Sequence, residues 1–226
     1  ILDYWHDEQK KFLWNGGPCW LPFDVLAYLR NLKNFLIDIH KRPEKIREVC
    51  DVTIDGFIEI AKRIRLPDKY SNTILISGHR ASGKYFSQKI FEELYFPYLK
   101  KVVENFKRSH ILSSFHLDDD WTLRLNYFRE FSKGSIGYVE FDGTTDIFKA
   151  KEILGDRMCI KGDVPPSLLA LGTPREVEKY CRKLIDICGE GGGFVLGSGC
   201  ETPPNTKPEN FKTMIDTAKT YGVYRK

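Results

Sequence analysis

A chain of 226 residues, 42% hydrophobic and 29% charged, has the composition of an ordinary globular protein and is long enough for one large domain or two small ones. Its 35 basic and 31 acidic residues are mixed along the chain for a formal charge of +4, which supports neither a nucleic-acid nor a membrane-surface role. No run of about 18 apolar residues occurs, so no transmembrane helix is expected.

The opening, ILDYWHDEQKKF, has no signal-peptide pattern and no initiating Met, and it reads as the start of a truncated or processed chain. After an irregular Gly/Pro/Trp-rich segment, NGGPCWLPFD, a helical stretch runs from about Val25 to Arg65 with a break near Arg42 and Pro43. A rhythm then begins in which short apolar runs alternate with polar loops and amphipathic helices. The runs are Thr73 to Ser77, Ile111 to Phe115, Ile136 to Phe141, Met158 to Lys161 and Phe194 to Gly197. Runs of this kind read as buried parallel strands.

Two of the helices carry start signals. Thr173, Pro174 and Glu176 form a capping box ahead of VEKYCRKLIDIC, which stops at Gly189, and Thr206 with Glu209 repeats the pattern before the last helix. Cys181 and Cys188 lie on the apolar face of the first of these and read as small buried hydrophobes. The other cysteines, Cys19, Cys50, Cys159 and Cys200, form no C-x-x-C pairs in a chain too large to need disulfide staples, which points to a reducing cytoplasm.

Strands alternating with helices predict an α/β protein with a parallel sheet. Alternation leaves an open doubly wound sheet and a (β/α)8 barrel both open. Five clear units, or six if NGGPCW holds a degraded one, fall short of a barrel unless its front is missing.

In either architecture the carboxyl ends of the strands carry the chemistry. The first end, SGHRASGKY, has the G-x-x-x-x-G-K spacing of a phosphate loop in Gly78, Gly83 and Lys84, but Tyr85 stands where a magnesium-binding hydroxyl is needed. His116 and Asp118 are spaced i, i+2 on an extended segment, which puts both side chains on one face, and Cys200 lies at another strand end. Imidazole, carboxylate and thiolate make a three-ligand set for a catalytic zinc ion. The same spacing also fits a packed His116 followed by acidic residues that cap a turn. Arg80 either clamps an anionic group or pairs with Glu140 or Asp142, and Asp163 either orients a substrate or serves Asp-x-Pro turn chemistry. The GEGGGF run precedes a strand and reads as a turn on the opposite face.

The segment KGDVPPSLLALGTPREVEKYCRKLIDICGEGGGFVLGSGCETPPNTKPENFKTMIDTAKTYG resembles the carboxyl-terminal signature of the uroporphyrinogen decarboxylase superfamily. SGHRASGKYFSQKIFEELYFPYLKKVV and HLDDDWTLRLNYFREFSKGSIGYVEFDGTTDIFKAKEILG are similar to its middle. The superfamily includes cobalamin-dependent methyltransferases, and the resemblance implies a (β/α)8 TIM barrel of the uroporphyrinogen decarboxylase type. Residues 1–226 would be one domain, the carboxyl-terminal portion of such a barrel, with its amino-terminal strands missing. The arginine-rich substrate loop of the decarboxylases has no counterpart, and their Gly-His-Gly element is replaced by Gly197, Ser198, Gly199 and Cys200.

The thiol methyltransferases hold zinc through a His-x-Cys pair and a later Cys. His116 matches that His, Cys200 the later Cys, and Asp118 stands where a Cys would be. The resemblance thus implies zinc on His116, Asp118 and Cys200, with His116 and Cys200 catalytic. It adds His79, Arg80, Ser82, Glu140 and Asp163 toward a small-molecule substrate, and a corrinoid carried by a partner protein. A homo-oligomer or an amino-terminal half would complete the barrel. Cofactor-free decarboxylation of a tetra-carboxylated tetrapyrrole and a non-catalytic remnant are the other readings.

Overall fold

The structure, a computed structural model, describes residues 2–10, 16–82 and 84–223. Gly83, the second glycine of the phosphate-loop-like spacing, lies outside the described residues. The strands are β1 (Pro18–Trp20), β2 (Thr73–Gly78), β3 (Leu112–Leu117), β4 (Ile136–Phe141), β5 (Cys159–Val164) and β6 (Phe194–Ser198). The helices are α1 (Pro22–Leu29), α2 (Leu32–Lys41), α3 (Pro43–Ile64), α4 (Gln88–Leu94), α5 (Phe96–Arg108), α6 (Ile147–Leu154), α7 (Pro166–Leu171), α8 (Pro174–Cys188) and α9 (Pro208–Thr220). A 3-10 helix, Thr122–Glu130, follows β3.

The strands follow one another in the sheet in chain order, and the pairs β1/β2, β4/β5 and β5/β6 are parallel. That order decides between the two architectures. A doubly wound sheet reverses its strand order at a switch point, whereas a barrel wall adds each strand beside the last. The fold is an incomplete (β/α) barrel with six strands in its wall.

The chain divides into two compact units, and their boundary passes through β3 and β4. The first comprises residues 1–116 and 131–137. Its β1 is the degraded unit suspected in NGGPCW, with Cys19 in register with Ile76 of β2. The segment looks irregular because Gly16 runs against the β2 backbone, where an added Cβ would stand 2.4 Å from the Thr73 carbonyl oxygen. The helical stretch breaks twice, at Arg42 as expected and also at Asn31. Asn31 takes a φ of 52°, and its side chain accepts the Asn34 N–H at 3.1 Å to cap α2. Buried Ile46, Cys50, Ile54, Ile58 and Ala61 fall on one stripe of α3. Phe23 meets Phe35, Phe86 and Tyr95 edge-on at 4.9, 5.0 and 5.5 Å between ring centres.

The second unit comprises residues 117–130 and 138–226. Its α8 has the expected capping box: Thr173 Oγ1 accepts the Glu176 N–H, and Glu176 Oε2 accepts the Thr173 N–H at 2.8 Å. The second expected box is corrected. Lys207 is the N-cap of α9, no side chain caps it, and Pro208 at the first helical position sets where the helix begins. Cys181 and Cys188 are buried on α8, and burial pushes each thiol up to about 12. The GEGGGF turn contains three successive glycines at positive φ, Gly191, Gly192 and Gly193, a backbone path that side chains disfavour.

Candidate active site

In the second unit the turns after β3 and β4 are held together by hydrogen bonds to the Asp142 carboxylate and through the Thr145 hydroxyl. Asp119 turns the chain at a φ of 64°, and its N–H donates to Asp142 Oδ2 at 2.8 Å. Asp142 Oδ1 accepts the Thr144 N–H at 2.9 Å and the Thr144 hydroxyl at 2.6 Å. The Trp121 indole N–H donates to the Asp118 carbonyl at 2.8 Å, and the Thr145 hydroxyl bridges Asp119 and Trp121. Asp118 therefore leaves a turn whose backbone is fixed on both sides.

Cys200 is brought to that turn by its neighbour. A Cβ on Gly199 would stand 2.7 Å from the Asp142 backbone, so only glycine allows the end of β6 to approach so closely. The Gly199 N–H donates to the Val164 carbonyl at 2.9 Å and the Ser198 hydroxyl to the Cys200 carbonyl at 2.5 Å. As a result the Asp118 carboxylate and the Cys200 sulfur offer ligand atoms within 4.8 Å of each other. His116 stands two residues before Asp118, near the end of β3. Tetrahedral zinc, with bonds of about 2.0–2.3 Å, spaces its ligand atoms by roughly 3.3–3.8 Å. The set fits zinc in donor chemistry.

Glu140 and Asp163 are already engaged. Glu140 is in register with Lys161 on the adjacent strand and forms an ion pair with it. Asp163 is buried, its Oδ1 accepts the Tyr180 hydroxyl at 2.8 Å, and burial pushes its carboxyl up to about 7 against that hydrogen bond.

The first unit carries the other candidates. His79 and Arg80 follow β2, and the Arg80 N–H donates to Asp24 Oδ1 at 2.8 Å. The Arg80 guanidinium lies 5.2 Å from the centre of the Tyr28 ring, and the His79 ring meets Tyr28 and His116 edge-on, each at 6.1 Å. Ser82 is fully buried, and its hydroxyl has no hydrogen-bond partner among the described residues.

Asp24 is the functional candidate that sequence reasoning missed. It is 0% exposed, and burial pushes its carboxyl up to about 7, opposed by the Arg80 N–H and by the charges of His79 and Arg80. Asp24 follows β1 by a few residues, so accepting NGGPCW as a strand would have placed it among the strand ends. A cavity of about 710 Å³ in the second unit, lined by Phe194, Glu190 and Tyr221, lies at the amino-terminal end of β6.

A parallel, sequentially ordered sheet with helices between its strands defines a barrel-type α/β protein. The chain belongs to the uroporphyrinogen decarboxylase (URO-D) family, whose model matches residues 16–221. It is 26% identical over 178 residues to a methylcobamide:CoM methyltransferase MtbA of Methanosarcina acetivorans, covering 79% of this chain and 50% of that protein. It is 24% identical over 187 residues to a uroporphyrinogen decarboxylase of Azoarcus sp., covering 79% of this chain and 48% of that protein. The chain thus spans about half the length of these relatives. A methyltransferase from Methanosarcina mazei shares the fold, with a TM-score of 0.75 at 17% identity over 98% of this chain and 63% of that one. No helix among the described residues is long and apolar enough to cross a membrane.

Proposed function

We propose that the protein takes part in zinc-assisted methyl transfer between a corrinoid, carried by a partner protein, and a small-molecule substrate or thiol in the cytoplasm. The observation that carries this reading is the approach of the Cys200 sulfur to the Asp118 carboxylate, which follows the β3 strand that carries His116. His116, Asp118 and Cys200 would hold the ion. Bound there, zinc would supply Lewis-acid chemistry, lowering the pKa of an acceptor thiol or polarising a methoxy oxygen. The Asp119–Asp142 lock holds the turn that carries Asp118, and Gly199 holds Cys200 against it. Arg80 and His79 orient the anionic group of the substrate, and the buried Ser82 hydroxyl and Asp163 carboxyl supply further polar contacts. A homo-oligomer or an amino-terminal half supplies the remainder of the barrel wall.

The test is metal analysis of the purified protein together with methyl transfer from a methylated corrinoid protein. Stoichiometric zinc that is lost in Cys200→Ser, along with transfer, supports the reading. A metal-free preparation, or unchanged transfer in Cys200→Ser, rejects it.

Decarboxylation is the second reading, favoured by two carboxyls, Asp24 and Asp163, that burial raises to about 7, where they can exchange protons near neutral pH. Turnover of a tetra-carboxylated tetrapyrrole by metal-free protein would establish it. Absence of both activities would leave a non-catalytic member of the family.

A further inference from the structure

We infer that the ends of β1 and β2 form a binding pocket for a small apolar carboxylate, whose oxygen takes a hydrogen bond from the Asp24 carboxyl while the Arg80 guanidinium complements its charge. The pocket is a cavity of about 270 Å³ lined by Trp20, Asp24, Val25, Tyr28, Leu29 and His79. That is near the lower end of the range for small-molecule sites, about 300 Å³, and suits a single ring or branched chain with one carboxylate.

Asp24 sets the polarity. One of its oxygens accepts the Arg80 N–H, and the other is buried without a hydrogen-bond partner among the described residues. An orphaned buried oxygen of this kind is destabilising unless a ligand satisfies it. With its carboxyl raised to about 7 by burial, Asp24 is a neutral acid below that pH, and its second oxygen carries a proton to donate. A donor on the floor selects an acceptor on the ligand. The charges around it agree, because the Arg80 guanidinium beside the Tyr28 ring would repel a cationic ligand and attract a carboxylate. Trp20 and Tyr28, at 46% and 54% exposure, line the pocket and offer apolar ring surface to the body of the ligand.

The inference deepens the substrate side of the proposed transfer and rests on that reading only in calling the ligand a substrate. Binding is therefore measured without turnover, so that either idea can fail alone. Benzoate and benzylamine are titrated calorimetrically into the 226-residue chain and its variants, with thermal melts confirming folding. Asp24→Asn keeps an acceptor for the Arg80 N–H and an N–H donor toward the pocket, so benzoate binds it within about threefold of wild type at pH 6. From pH 6 to pH 8 benzoate weakens about fivefold or more in wild type as Asp24 ionises and is unchanged in Asp24→Asn. Arg80→Gln weakens it by roughly tenfold. Tighter binding of benzylamine than of benzoate, no binding of benzoate to folded wild type, or equal pH response in wild type and Asp24→Asn overturns the proposal.

Discussion

The Asp119 N–H donates to the Asp142 carboxylate at 2.8 Å and so ties the turn after β3 to the turn after β4. Asp142 accepts two further hydrogen bonds from Thr144, so its carboxylate serves three donors. Asp142→Ala leaves a strained turn at Asp119 with no acceptor, and a stability loss of about 1–3 kcal/mol is expected in urea unfolding. If the proposed zinc site is present, zinc content falls with it, because Asp118 no longer leaves a fixed turn.

Gly199→Ala tests the close approach that positions Cys200. Its new Cβ would lie 2.7 Å from the Asp142 backbone, a contact relieved only by moving β6 away. The expected cost is about 1–3 kcal/mol. Cys200 moves away from Asp118, so zinc affinity measured by chelator competition drops even where the variant remains folded.

Asp163 gives a pH-dependent prediction. In the unfolded chain its carboxyl ionises near pH 4, whereas in the folded protein burial holds it protonated up to about 7. Between those values the folded state holds one more proton than the unfolded state, so stability falls as pH rises; the cost is absent below about pH 4 and complete above about pH 7. Asp163→Asn cannot ionise and keeps an acceptor for the Tyr180 hydroxyl. Relative to wild type, it should gain about 2 kcal/mol more at pH 8 than at pH 5, read from paired denaturant titrations. Equal differences at the two pH values would remove the buried-acid account.

Thr173→Ala removes one half of the α8 capping box, leaving the Glu176 N–H without its side-chain acceptor. A loss of about 1 kcal/mol is expected in thermal or denaturant unfolding, with no change in zinc content, since the cap lies far along the chain from His116, Asp118 and Cys200.

How much of this could be read in advance varies by element. The α8 start was legible because its capping box is local: Thr173, Pro174 and Glu176 act on one another within a single turn. The α9 box failed for a related reason, since Pro208 fixes the first helical position and leaves Thr206 outside the helix. Strand β1 was hidden because Gly16 and Pro18 weaken its intrinsic signal, and pairing with β2 supplies what propensity does not. Asp24 was missed together with that strand.

The sequence by itself determined the alternation of parallel strands and helices and the placement of His116, Asp118 and Cys200 at or just after strand ends. Periodicity, capping and the i, i+2 face of a strand need no long-range contact. Only the tertiary structure decided the sequential strand order that selects the barrel, because hydrogen bonding between strands far apart in sequence leaves no local mark. It alone decided that Cys200 reaches Asp118, through a Gly199 contact with a backbone more than fifty residues away. It also decided that Asp24 and Asp163 are buried acids, since burial is a property of what packs around a carboxyl and not of its neighbours in the chain.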